Sequence, residues 1–155
     1  IYHGQLAWFV AAMYPDLEEQ LILGFTDDQM KWCTNNEKQM WTHLVEEKLL
    51  FSSDPMNIRK LVEDAPYTRF YTSESPGQAA VWQGLQIVRA FAERNPGLSV
   101  HQVMAQRDYQ ELLRLSRYNP LAGLNNIYCK KIAGKSVSPN VKSHNEVTFL
   151  FFYLI

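Results

Sequence analysis

A chain of 155 residues, 46% of them hydrophobic and 13% aromatic, has the length for one domain with a substantial core and is too apolar for a disordered tail or linker. Its formal net charge of -1, with 20% charged residues, gives no electrostatic case for a nucleic-acid or polyanion partner. Two cysteines, Cys33 and Cys129, lack the CxxC spacing of a metal knuckle and are too few for a disulfide scaffold. One bridge between them stays open, but Cys33 lies within a helical pattern and reads as a small buried hydrophobe.

Ile1 rather than Met opens the chain on a helical pattern already running, which reads as the interior start of an N-terminally truncated domain. Leu6, Phe9, Val10 and Met13 recur at helical spacing and predict an amphipathic helix over residues 1–14, ended by Pro15 and Asp16. That helix reads as largely buried, with an exposed apolar face wherever its packing neighbours are missing. After a loop through Gly24, Thr26-Asp27-Asp28-Gln29 is a capping-box pattern that starts a long helix carrying Met30, Cys33, Glu37, Trp41, Leu44, Val45 and Leu49. Thr34-Asn35-Asn36-Glu37 repeats the pattern and marks a candidate break or kink. Asp54-Pro55 opens a short helix to about residue 63, and Ala65-Pro66 closes it. Residues 64–74, with Tyr67, Phe70 and Tyr71, show no period and read as a loop with aromatic anchors.

Ser75-Pro76-Gly77 then reads as a helix start. The Ser75 hydroxyl would accept from free first-turn amides, and Pro76 sits where a missing N–H costs nothing, predicting a helix over residues 76–94. Ala80 and Gly84, four apart, open a groove on one face where another backbone can come close. Asn95-Pro96-Gly97 stops the helix, Ser99-Val100-His101-Gln102 caps a short one through Ala105, and a last helix over residues 108–117 carries Leu112, Leu113 and Leu115 before Asn119-Pro120. No strand-length alternation occurs before residue 120, so the expected fold class is all-α.

Residues 121–155 differ in kind. The first 120 residues hold 11 basic and 15 acidic side chains, whereas the last 35 hold four Lys and one Glu. The segment ends in a nine-residue, almost wholly apolar run, Val147 to Ile155, too short to span a bilayer as a helix and an aggregation hazard that ordinary sequences avoid. It is expected to be a non-native or irregular tail. No apolar run near 20 residues, signal peptide or lipobox occurs in the chain.

Chemistry-bearing patterns are sparse. The nearest approach to a zinc motif is His43-Leu44-Val45-Glu46-Glu47, which has the first His and the Glu of an inverted H-x-x-E-H but puts Glu47 where the second His belongs; it reads as a solvated helix face. His3 and His101 have no paired ligand at helical spacing, no G-x-S-x-G elbow supports a catalytic serine, and no phosphate loop is present. No catalytic, cofactor-binding or metal-ligating residue is therefore assigned. Glu37 falls among Trp32, Met40 and Trp41, where a buried carboxylate needs a partner, and Arg89 or Arg59 could supply it. One reading is a polar pocket built on Glu37 and Arg89. The other is a cap or a structural ion pair.

Taken in order, the body resembles a known family. Ile1-Tyr2-His3-Gly4, Gly24-Phe25-Thr26, Trp32 with Asn36-Glu37 and Trp41, Leu49 to Asp54, Asp64-Ala65-Pro66-Tyr67, Ser75-Pro76-Gly77 with Trp82-Gln83-Gly84 and Arg89, and Ser116-Arg117-Tyr118-Asn119-Pro120 together resemble the C-terminal half of the gliding motility-associated lipoprotein GldB family. The resemblance covers about residues 1–120 and implies a helical domain of a bacterial cell-envelope lipoprotein, lipid-anchored in the full-length protein through a Cys outside this chain. It implies a part in gliding and the associated protein secretion, with envelope proteins of that machinery as partners, no cofactor, and membrane contact only through the anchor. The family is also similar to predicted zinc-dependent proteases, which implies a multi-helix array like the helical half of a zincin. Two functions follow from it: a non-enzymatic interaction domain, or the helical subdomain of a zinc-dependent peptidase whose HExxH lies upstream.

Overall fold

The computed structural model of the chain describes residues 1–122. Among them are seven helices and no strand: α1 (Tyr2–Met13), α2 (Glu19–Leu23), α3 (Asp27–Glu46), α4 (Pro55–Val62), α5 (Ala79–Arg94), α6 (Val100–Ala105) and α7 (Tyr109–Ser116). Ile1–Pro120 forms one compact unit. The expectation of an irregular, non-native tail falls almost entirely outside the described residues.

Local signals place most helix starts. Thr26 and Ser99 each close a full capping box, with Gln29 and Gln102 as the reciprocal partners, and the Asp54 carboxylate accepts from the Met56 amide at 2.9 Å with Pro55 in the first turn. Asp108 caps α7 by accepting from the Glu111 amide at 2.9 Å. The candidate break at Thr34 to Glu37 does not occur. Thr34 Oγ1 and Asn36 Nδ2 donate back to the carbonyls of Met30 and Trp32, so both polar side chains are satisfied on the helix surface and α3 runs through. The predicted loop before Gly24 holds the one-turn helix α2, whose end Gly24 closes in the left-handed region at φ 68°.

The central helix is α5, which packs against α1, α3, α4 and α7. Nine of its 16 residues are buried, among them Trp82, Leu85, Val88 and Phe91. Its start differs from the sequence expectation. The first helical residue is Ala79, Gln78 precedes it with φ 58°, and no side chain of its own cap position satisfies the first turn. Ser75 is not the cap: its hydroxyl donates to the Thr72 carbonyl at 2.7 Å and accepts from the Thr68 amide at 3.1 Å. The cap comes from Thr68, whose Oγ1 accepts from the Ala79 amide at 2.9 Å and donates to the Pro76 carbonyl at 2.8 Å.

The groove expected at Ala80 and Gly84 is real at Gly84. There α1 crosses α5 with Gly4 against Gly84, and a Cβ added at Gly4 would lie 2.1 Å from the Gly84 carbonyl carbon. Ala80 instead packs against the Leu44, Leu49 and Leu61 cluster between α3 and α4. The reading of α1 as largely buried through its large residues is corrected by the same crossing. Only Gly4, Gln5 and Ala7 of α1 are buried, because a close backbone approach admits small side chains and turns Leu6, Phe9 and Met13 outward.

Candidate functional site

Two places in the unit Ile1–Pro120 collect the residues singled out by sequence. The first lies where α3, α5 and the chain leaving α7 meet. Glu37 and Trp41 stand one turn apart on α3, and Gln83 reaches them from α5 with its Nε2 donating to the Glu37 backbone carbonyl at 3.3 Å. At the end of α7, the buried Ser116 hydroxyl donates to the Leu113 carbonyl and accepts from the Tyr118 amide, and Arg117 takes the left-handed conformation at φ 48°. This turn brings Tyr118 inward, where its hydroxyl donates to Glu37 Oε1 at 2.7 Å and its ring meets Trp41 edge-on at 5.2 Å. Burial first, then the bond to Glu37, pushes the Tyr118 phenol well above its ordinary range, so it stays protonated at neutral pH and holds the carboxylate.

Glu37 is thus paired with a phenol and not with either arginine. Arg89 donates to the Glu19 carboxylate and, at 2.9 Å, to Gln86 Oε1, while Gln86 Nε2 donates to Glu19 Oε1 at 2.9 Å, so this set joins α2 to α5. Arg59 is engaged by Glu63 on the surface of α4. Glu37 and Arg89 therefore do not pair with each other, and the Glu37 cluster works as a strut across three segments. Tyr118→Phe is expected to lower stability by about 1.5 kcal/mol, since it deletes a hydrogen bond to a charged group. Glu37→Gln, which keeps an acceptor, should lose less. Urea denaturation checks the pair, and a Tyr118→Phe protein as stable as the parent would remove the strut.

The remaining quoted aromatics fill the core beside this cluster. Trp82 joins Cys33, Met40 and Ala79 in a buried group against which Trp32 and Tyr71 pack, with Trp32 and Tyr71 tilted at 6.4 Å. Burial, with Glu19 adding, pushes the Cys33 thiol up to about 12, so it is neither a thiolate nor a nucleophile at neutral pH. His43 is not on a solvated face: it lies against Phe70 at 6.2 Å and edge-on to Tyr71 at 5.7 Å, whereas Glu46 and Glu47 point into solvent. Among the described residues no three His, Cys, Asp or Glu side chains gather as a metal ion would require. Ser75, Pro76 and Gly77 are all buried in the turn that enters α5.

The second place is the outer face of α1. Tyr2, Leu6, Phe9 and Met13 fall on one stripe of the helix and are 46%, 42%, 40% and 56% exposed. α1 carries no Lys, Arg, Asp or Glu, and the Arg107 guanidinium lies 6.0 Å from the centre of the Tyr2 ring. Sequence periodicity marks these residues as apolar but says nothing about which side of an all-round hydrophobic helix faces inward. Tyr118 likewise stands in the quoted Ser116 to Pro120 run, 81 residues from its partner Glu37, with no local sign of the pairing.

No curated protein and no solved structure matches the chain. Residues 1–120, the whole of the unit built on α5 and all of the residues described above, match the family of the gliding motility protein GldB, and the chain belongs to that family.

Proposed function

We propose that this chain is a non-catalytic scaffold that serves gliding motility, and the protein secretion associated with it, through contacts with envelope proteins of that machinery. Membership of the GldB family implies the role in gliding motility and a lipid-anchored place in the cell envelope. The observation that carries the finer reading is the exposed row Tyr2, Leu6, Phe9 and Met13, a continuous apolar stripe along one helix and not a scatter of single apolar residues. A protein is favoured over a lipid surface as its occupant, because α1 has no Lys or Arg and so lacks the cationic face by which interfacial helices hold anionic headgroups.

A Leu6→Lys, Phe9→Lys double variant tests this. Both side chains already meet solvent, so helical content should persist with a loss of about 1 kcal/mol at most, while gliding and secretion fall sharply. Normal gliding by a correctly folded variant would remove α1 as the contact surface. The alternative, a helical subdomain in a zincin-like peptidase with an upstream HExxH, is separated by metal analysis of the full-length protein. Stoichiometric zinc would overturn the non-catalytic reading.

A further inference from the structure

The C-terminal ends of α5 and α7 border a cleft of about 460 Å³ lined by Arg94, Asn95, Arg114, Leu115 and Arg117. Three arginines therefore line one space. Arg114 is partly neutralised by Glu111, whose two carboxylate oxygens accept from its Nε and terminal nitrogen at 2.6 and 2.5 Å. Arg94 and Arg117 make no ion pair among the described residues. A basic residue in the last turn is the ordinary complement of a helix dipole, and that accounts for Arg94 on α5 and Arg114 on α7.

It does not account for Arg117. This residue lies past the last turn of α7 with φ 48°, a conformation that disfavours side chains and that helices normally give to Gly at this point. An arginine where glycine would serve the backbone better points to a use for its side chain, and Arg117 lines the cleft. Asn95 adds a fixed polar wall, since its Nδ2 is spent on the Phe91 carbonyl at 2.7 Å, and Leu115 adds an apolar one.

We propose that this cleft binds a phosphate group carried as a mono- or diester. Planar guanidinium forks match phosphate oxygens two at a time, and the charge of Arg94 and Arg117, unpaired among the described residues, supplies the attraction. The volume is several times that of a bare phosphate and lies within the range of small-molecule sites, leaving room for an ester substituent against Leu115. The same chemistry can be met by a phospholipid headgroup or by a soluble phosphate. Glu111 works against the ligand by occupying Arg114.

The test uses the full 155-residue chain and two probes. Inorganic phosphate is titrated while backbone amide shifts are followed by NMR, and flotation is measured with phosphatidylcholine vesicles containing or lacking phosphatidylglycerol. Saturable, salt-sensitive binding is expected, with the shifts confined to residues 94–95 and 114–118. Arg94→Gln and Arg117→Gly should each weaken it about tenfold. Arg117→Gly should do so with a thermal midpoint equal to or above the parent's, because glycine suits the left-handed position, so loss of binding cannot be blamed on loss of fold. Glu111→Gln frees Arg114 and should tighten binding. Flotation that needs phosphatidylglycerol supports the cleft with a headgroup as its ligand, and phosphate binding without flotation supports it with a soluble phosphate. No binding to either probe, unchanged binding by Arg117→Gly, or unchanged binding by Glu111→Gln would overturn it.

Discussion

Gly4→Ala is expected to lower stability by about 3 kcal/mol, the upper end of what overpacking a core costs, and to shift the chemical denaturation midpoint accordingly. The added Cβ would lie 2.1 Å from the Gly84 carbonyl carbon and 2.5 Å from the Leu85 amide nitrogen. Both are backbone atoms of the central helix, so no side-chain rotation relieves the overlap and α1 must move away from α5. That movement unpacks Ala7 from Val81 and Leu85. It also strains Gln5, a fully buried residue whose Nε2 donates to the carbonyls of Val103 and Gln106 at 3.0 Å each and so closes the end of α6. Gly84→Ala is the control, because its Cβ would stand 3.3 Å from Gly4 Cα, a contact a few tenths of an ångström too tight. Replacing a helical glycine regains about 0.5–1 kcal/mol of backbone entropy, which offsets much of that crowding at Gly84 and little of it at Gly4. A Gly4→Ala protein with the parent's midpoint would mean that the two helices are not in backbone contact.

The same crossing shows which parts of the fold the sequence could disclose. Helix starts were legible at Thr26, Asp54 and Ser99 because capping is a matter of residues two or three apart, and ends were legible at Pro15, Ala65-Pro66 and Asn95-Pro96-Gly97 for the same reason. The inward face of α1 was not. Periodicity marks the stripe of Leu6, Phe9, Val10 and Met13, but on a helix apolar all round that stripe is not the inward one, and side-chain size is the informative variable: Gly4 and Ala7 face the core while Tyr2, Leu6, Phe9 and Met13 face out. Bonds between distant segments were also beyond local reading. Glu37 called for a partner and two arginines were the chemically obvious candidates, yet the partner is a phenol that only the turn at Ser116 and Arg117 delivers. The misread cap of α5 has the same origin, for Ser75 has the right identity and position while Thr68, seven residues earlier, does the capping.

That turn carries the second large effect. Gly77→Ala is expected to cost about 3 kcal/mol as well, by overpacking against backbone. A Cβ at Gly77 would fall 2.1 Å from the Ala65 carbonyl oxygen, and Gly77 is not in the left-handed region, so the requirement is for space and not for an unusual φ. Relief would push the Ser75 to Gly77 turn off the segment that follows α4. The Thr68 hydroxyl would then lose one or both of its bonds to the Pro76 carbonyl and the Ala79 amide, leaving buried groups at the head of α5 unpaired. Thr68→Val removes the same two bonds with little change of shape and should cost about 2 kcal/mol, the penalty of an unsatisfied buried donor added to a lost cap. Thr68→Ser keeps the hydroxyl and should lose less than half of that. Because Gly77→Ala acts largely through Thr68, its effect and that of Thr68→Val should combine to less than their sum in a double-mutant cycle. Full additivity, measured by urea denaturation, would separate the steric role of Gly77 from the capping role of Thr68 and show that the turn is not a single unit.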